Sequence, residues 1–217
     1  MSIYTALIGW AATLLGFFRL APQALMTLRA RSVSGVSATS TVFTVVSGAW
    51  WVIYGIALAD IPTSVSSIGA LIAPCLCYVY LLRRGGLGIL HNLLLGAGVV
   101  AGVLLVLPGV NVLGMVAAFS TVLSMLPQFV RIARTRDVSG LSEWTWALTS
   151  ANTILWAVYG SLVHSVPMML PACAIVPGAV LIAVVMERNG SNAGNDGVLF
   201  GASRRSFSSR PRVEVHA

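Results

Sequence analysis

At 217 residues, 57% apolar and 9% charged, with a mean hydropathy of +0.89, the chain is too apolar for an ordinary water-soluble domain and is predicted to live in a lipid bilayer. Its net charge of +7 does not point to nucleic acid, because the thirteen basic residues are all arginines and, Arg19 apart, are placed at the ends of apolar runs and in the C-terminal tail. Apolar runs bounded by charge, Pro or Gly fall at about 3–28, 38–58, 62–82, 89–107, 111–131, 144–163 and 166–186. Each is near the ~20 residues that a helix needs to cross ~30 Å of hydrocarbon, so the expected fold is all-α, integral to the membrane, with seven spans.

The N-terminal MSIYTALIGW has neither a basic leader nor a small-residue cleavage site before its apolar run continues, and it reads as a retained first span. Arg29 and Arg31 follow the first run, Arg83 and Arg84 the third, Arg131, Arg134 and Arg136 the fifth, and Arg188 the seventh. The other connections lack arginine. Counting these charges predicts an N-terminus outside, a C-terminus in the cytoplasm and a multi-pass protein of the plasma membrane. Residues 189–217, rich in Gly, Ser, Asn and Arg, have the composition of a disordered cytoplasmic tail.

The segment APQALMTLRARSVSGVS at 21–37 returns as LPQFVRIARTRDVSGLS at 126–142. A shift of 105 residues aligns 19–67 with 124–172 without a gap, and the thirteen identities fall mostly on Pro, Gln, Arg, Gly, Trp and Tyr. Chance similarity between apolar segments would match Leu, Val and Ala instead, so the chain contains an internal repeat. Both arginine loops can be cytoplasmic only if an even number of crossings separates them, and the run at 89–107 supplies the extra one. The predicted organisation is therefore 1–84 as a first three-helix repeat, 85–108 as a linker helix, 109–188 as a second three-helix repeat, and 189–217 as tail. Parallel repeats of this kind place a solute site near the bilayer midplane between them.

Pro22 and Pro127 fall in the inner halves of their spans, where each removes a backbone donor; with Gln23 and Gln128 beside them they are candidate hinge or gate positions. Arg19 is the one charge well inside an apolar run, which makes it a candidate pathway charge, with snorkelling towards the cytoplasmic face as the other reading. Its counterpart in the second copy is Ser124. No acidic residue lies inside a span, so a proton relay lacks a carrier and downhill, uncoupled transport is expected. Cys75, Cys77 and Cys173 lie in apolar runs, are odd in number and read as small packing residues. His91, His164 and His216 are scattered, and no metal spacing or nucleophile motif occurs, so no metal, cofactor or enzymatic activity is expected.

Pro22-Gln23 followed by SVSGVS and Pro127-Gln128 followed by DVSGLS resemble the PQ-loop motif, and WVIYG at 51–55 with WAVYG at 156–160 resembles the SWEET and SemiSWEET branch of sugar transporters. The resemblance covers about residues 3–186 and is to the fused, seven-helix plan. It implies uniport of a small solute, a sugar first, by alternating access through a central pocket walled by an aromatic residue and an asparagine from each repeat. The aromatic positions match Trp51 and Trp156, whose indole faces suit the C–H faces of a pyranose. The asparagine positions carry Ser67 and Ala172, a departure from the family pattern that leaves room for a smaller or less hydroxylated solute. Asn152 and Ser47 lie one helical turn before the two tryptophans and share their face, so they are further candidates for polar contact. A non-transporting membrane receptor of the same fold and a proton-coupled amino-acid or carboxylate transporter are the alternatives. Expected partners are the solute and the lipid bilayer, with a homo-oligomer left open.

Overall fold

Two short stretches of sequence, Asp60-Ile61-Pro62-Thr63 and Ser165-Val166-Pro167-Met168, start corresponding helices in the two copies by the same device. The Asp60 carboxylate accepts from the Thr63 amide at 3.3 Å and the Ser165 hydroxyl from the Met168 amide at 3.4 Å. Each has Pro in the first turn, where its missing N–H would have no helical partner anyway. The turns that lead into these caps also match. Ala59 (φ 53°) and His164 (φ 56°) are left-handed, and the amides of Asp60 and Ser165 reach back five residues to the carbonyls of Gly55 and Gly160, at 2.9 and 2.7 Å. This is a Schellman-type helix end made twice.

The computed structural model describes residues 2–29, 37–136 and 143–203, and the side chains of 2–19, 37–136 and 146–188 within them. The helices are α1 (Ile3–Arg29), α2 (Ala38–Ala57), α3 (Ile61–Arg83), α4 (Ile89–Leu104), α5 (Val110–Thr135), α6 (Glu143–Leu162), α7 (Val166–Met169) and α8 (Ala172–Ser203). Among the described residues the fold is all-helical. Four stretches, Ala38–Ala57, Ile61–Arg83, Val110–Thr135 and Val166–Arg188, are by length and composition long and apolar enough to cross a membrane.

Two differences from the sequence expectation concern the last span. It is broken after Met169, because Pro171 has no amide hydrogen to donate back along the helix; the chain crosses the gap with a Cys173 to Leu170 bond of 3.1 Å before α8 proceeds. The matching position in α3 is Ser66, and α3 runs without interruption. The second difference is length: α8 continues to Ser203, into the segment assigned to the tail, although its Gly and Asn are weak helix formers. The VSG loops at 30–36 and 137–142, the side chains of Pro22 and Gln23, and residues 204–217 lie outside the described residues.

Packing follows the repeat. Within the first copy α3 lies against both α1 and α2, and within the second α7 and α8 lie against α5 and α6. Between copies α1 packs on α6 and α5 packs on α2, the pairing expected when two like units exchange partners about a pseudo-two-fold axis. The α4 helix packs on α2, where Gly98 and Gly102 form a small-residue stripe. The Trp50 indole donates to the Gly98 carbonyl at 2.8 Å, and a Cβ on Gly98 would lie 2.7 Å from Val46.

Polarity is arranged for a lipid solvent. Thr13, Thr41, Thr63, Ser120, Thr149, Asn152, Thr153 and Ser165 are buried, while large apolar side chains such as Leu7, Phe18, Ile68, Val100 and Phe119 face outward. Most buried hydroxyls are satisfied by their own helix, as when Thr13 donates to the Gly9 carbonyl at 2.9 Å and Thr153 to the Thr149 carbonyl at 2.7 Å.

Candidate functional site

In W-x-x-Y-G the three fixed residues point to three different tasks. The tyrosines are fully buried and cross between copies: the Tyr54 and Ser165 hydroxyls are joined at 2.7 Å, and the Tyr159 hydroxyl donates to the Asp60 carboxylate at 2.8 and 2.9 Å. Since Tyr54 matches Tyr159 and Asp60 matches Ser165 under the 105-residue shift, each tyrosine seals against the cap of the other copy's third helix. Glycines seat them. A Cβ on Gly9 would lie 2.7 Å from Tyr159, and one on Gly114, its counterpart, would run into Tyr54 and lie 2.8 Å from Pro167.

The glycines of the motif, Gly55 and Gly160, let each second helix pack closely on the start of its own third helix. Added Cβ atoms there would lie 2.8 Å from the Ser64 amide nitrogen and 3.0 Å from the Ser165 carbonyl. The tryptophans, one turn back, stand edge-on to their tyrosines, with centroids 5.8 Å apart at 87° for Trp51 and 5.6 Å apart at 88° for Trp156. Their other faces meet a cavity.

This cavity has a volume of about 220 Å³ and is walled by residues from both copies. Gly16 and Thr121, Gly48 and Thr153, Trp51 and Trp156, Thr63 and Met168, Ser66 and Pro171, and Ala70 and Ile175 are all on its wall, and each pair is related by the same shift. The wall is chemically lopsided: α3 contributes the hydroxyls of Thr63, Ser66 and Ser67, whereas α7 and α8 contribute Met168 and Ile175. At ~30 Å³ per water the space would hold about seven, and it is below the ~300–1,000 Å³ of pockets for drug-sized ligands, so it suits a solute of about one ring.

Of the residues singled out from sequence, Trp51, Trp156, Ser67, Asn152 and Arg19 line this cavity. Ala172 is not on the wall, where Pro171 and Ile175 take its place after the break in the helix, and Ser47 yields to its neighbour Gly48. Pro127 and Gln128 lie within α5 away from the cavity lining. Asn152 and Ser47 are nevertheless equivalent in what they hold. Asn152 Nδ2 donates to the Ala12 carbonyl at 2.6 Å across the copies. Serine is too short for the matching reach to Ala117, and Ser120 bridges it, bonded to Ser47 at 2.6 Å and donating to the Ala117 carbonyl at 2.7 Å.

The two tryptophans differ. Trp51 Nε1 donates to Thr121 Oγ1 at 3.0 Å, and the residue matching Thr121 in the first copy is Gly16, which has no side chain to offer Trp156. Sequence reasoning missed Thr63, Ser66, Thr121 and Thr153 as wall residues and missed the tyrosine crossings. The tyrosine pair and its 60/165 partners were open to detection by the shift, and the hydroxyls were not, since Ser and Thr occur throughout the spans.

The PQ loop repeat family matches residues 4–64 and 109–167, together more than half of the chain. The chain is also 37% identical over 60 residues to a sugar transporter SemiSWEET of Leptospira biflexa serovar Patoc, an alignment spanning 28% of this chain and 71% of that protein. Two matched repeats on one chain, with apolar helices around them, identify a multi-pass membrane protein that belongs to the SWEET/SemiSWEET PQ-loop family in its two-repeat form.

Proposed function

We propose that the protein is a facilitator that carries a sugar, or another solute of about that size, down its gradient by alternating access through the cavity between the repeats. The observation that carries this reading is that six symmetry-related pairs of residues wall one cavity, with an indole from each copy. The similarity to a SemiSWEET sugar transporter supports the solute class. Two parallel three-helix repeats joined by α4 give each copy one half of the pathway, so a single chain is sufficient. Trp51 and Trp156 would stack on the ring of the solute, while Ser67 and Asn152 would bind its hydroxyls.

Alternating access needs two ends that open in turn. At one end the Tyr54–Ser165 and Tyr159–Asp60 crossings tie the copies together, and breaking both would free that end. By the arginine distribution this end faces outward and the N-terminus lies outside the plasma membrane. Pro127, Gln128 and their counterparts Pro22 and Gln23 would act as hinges on the cytoplasmic side. Among the residues lining the cavity there is no carboxylate to carry a proton, which favours uncoupled movement.

The test is uptake of radiolabelled monosaccharides into proteoliposomes with and without a pH gradient. Equilibration of sugar indifferent to the gradient is expected; uptake that requires the gradient would overturn uniport, and the absence of any flux would overturn transport.

A further inference from the structure

The cavity holds one charge, and no carboxylate among the described residues lines the wall beside it. Arg19 lies on the wall, its Nε is buried without a hydrogen-bond partner, and it has no ion pair among the described residues. The other wall residues are uncharged. A guanidinium is positively charged at any physiological pH, and one that lines a solute cavity with no carboxylate beside it on the wall favours a ligand that supplies the counter-charge. The repeat does not require it either, since the matching residue is Ser124. Six pairs of matching positions build most of this wall; Arg19, like Ser67 and Asn152, is on it from one copy only.

We propose that the preferred solute is a hydroxylated monocarboxylate of single-ring size, an acidic sugar, with its carboxylate on Arg19 and its hydroxyls on the α3 side of the cavity. This rests on the reading of the cavity as the transport site. Charge counting selects a monoanion: one guanidinium matches one carboxylate through its planar fork, whereas a phosphate dianion would bring a second charge with no cation to meet it. A bare halide would leave the hydroxyls of Ser66 and Ser67 and the two indole faces without a partner. The hydroxyl-bearing wall and the two indole faces select a polyol ring over an acid without hydroxyls.

The probes are D-glucose and D-glucuronate, which differ at C6 alone, as a neutral hydroxymethyl group or a carboxylate. Uptake of each into proteoliposomes containing the full chain is measured with and without a potassium diffusion potential, and for Arg19→Lys and Arg19→Gln. We expect glucuronate to be preferred over glucose by roughly tenfold or more in kcat/KM. Uniport of a monoanion also moves charge, so an inside-positive potential of ~59 mV should raise its equilibrium accumulation about tenfold while leaving that of glucose unchanged. Arg19→Gln should abolish the preference and Arg19→Lys should retain part of it.

Glucose uptake exceeding that of glucuronate in the native protein would overturn the proposal and leave the facilitator reading standing. A glucuronate preference that survives Arg19→Gln would overturn the role of Arg19. Absence of flux for both probes would overturn the facilitator reading together with this proposal. The potential dependence is read on the native protein, so a variant that fails to fold does not decide the matter.

Discussion

The hydroxyl of Tyr159 donates to both oxygens of the Asp60 carboxylate, at 2.9 and 2.8 Å, across 99 residues of chain. The symmetry-related bond, from Tyr54 to Ser165, joins two neutral hydroxyls at 2.7 Å. Hydrogen bonds to a charged partner contribute ~1.5–3 kcal/mol, and neutral ones ~0.5–1.5 kcal/mol. Tyr159→Phe should therefore destabilise the protein more than Tyr54→Phe, although both rings are fully buried and the packing lost is one oxygen in each. Thermal unfolding in detergent gives the comparison. Equal losses would show that the charge on Asp60 adds nothing to the crossing.

Gly9 and Gly114 should be intolerant of even one methyl group. The Cβ of Gly9→Ala would lie 2.7 Å from the Tyr159 ring and 3.1 Å from Pro62, both of them held by the second copy or by α3, and Gly114→Ala meets Tyr54 and Pro167 in the same way. Overpacking of this kind costs ~1–3 kcal/mol. Gly96, which has nothing within 4 Å of an added Cβ, is the control, and Gly96→Ala in the α4 helix should be neutral or slightly stabilising. A melting temperature for Gly9→Ala equal to that of Gly96→Ala would contradict the close approach.

How far the sequence led depended on which solvent each residue faces. Lipid demands long apolar runs, so the run at 38–58 became Ala38–Ala57 and that at 62–82 became Ile61–Arg83, with Asp60 and Pro62 marking the start of the latter. The repeat was legible because it is written in Pro, Gly, Trp and Tyr, residues whose places cannot be exchanged freely. Trp51 and Trp156 on the cavity wall follow from it. What escaped was set by single residues without a repeat partner. Pro171 breaks the last span where Ser66 leaves α3 whole, and that break removes Ala172 from the wall. Ser120 completes for Ser47 a reach that Asn152 makes alone, which no spacing rule anticipates.

Ala59 and His164 take left-handed backbone conformations, at φ 53° and 56°, in the turns before the two caps. For an L-residue with a Cβ this conformation costs roughly 1 kcal/mol relative to Gly. Both side chains are exposed, so replacement removes little packing. Ala59→Gly should accordingly stabilise the protein by up to about 1 kcal/mol. A rise in melting temperature without loss of solute binding is the expected outcome, and a fall would mean that the turn relaxes when Ala59 loses its methyl group.

Trp51 and Trp156 occupy equivalent places but are held differently, and this separates a wall residue from a merely packed one. Trp51 Nε1 donates to Thr121 Oγ1 at 3.0 Å, whereas the residue matching Thr121 across the repeat is Gly16. In a double-mutant cycle on stability, Trp51→Phe and Thr121→Val should couple by ~0.5–1.5 kcal/mol, the worth of one neutral hydrogen bond, and Trp156→Phe should not couple with Thr121→Val. Uptake should respond differently: Trp51→Ala and Trp156→Ala should each reduce it to near background, because a single-ring solute between two indoles needs both faces. If uptake tracked the stability losses instead, with Trp156→Ala spared, the cavity would have one working wall and the stacking role of Trp156 would be refuted.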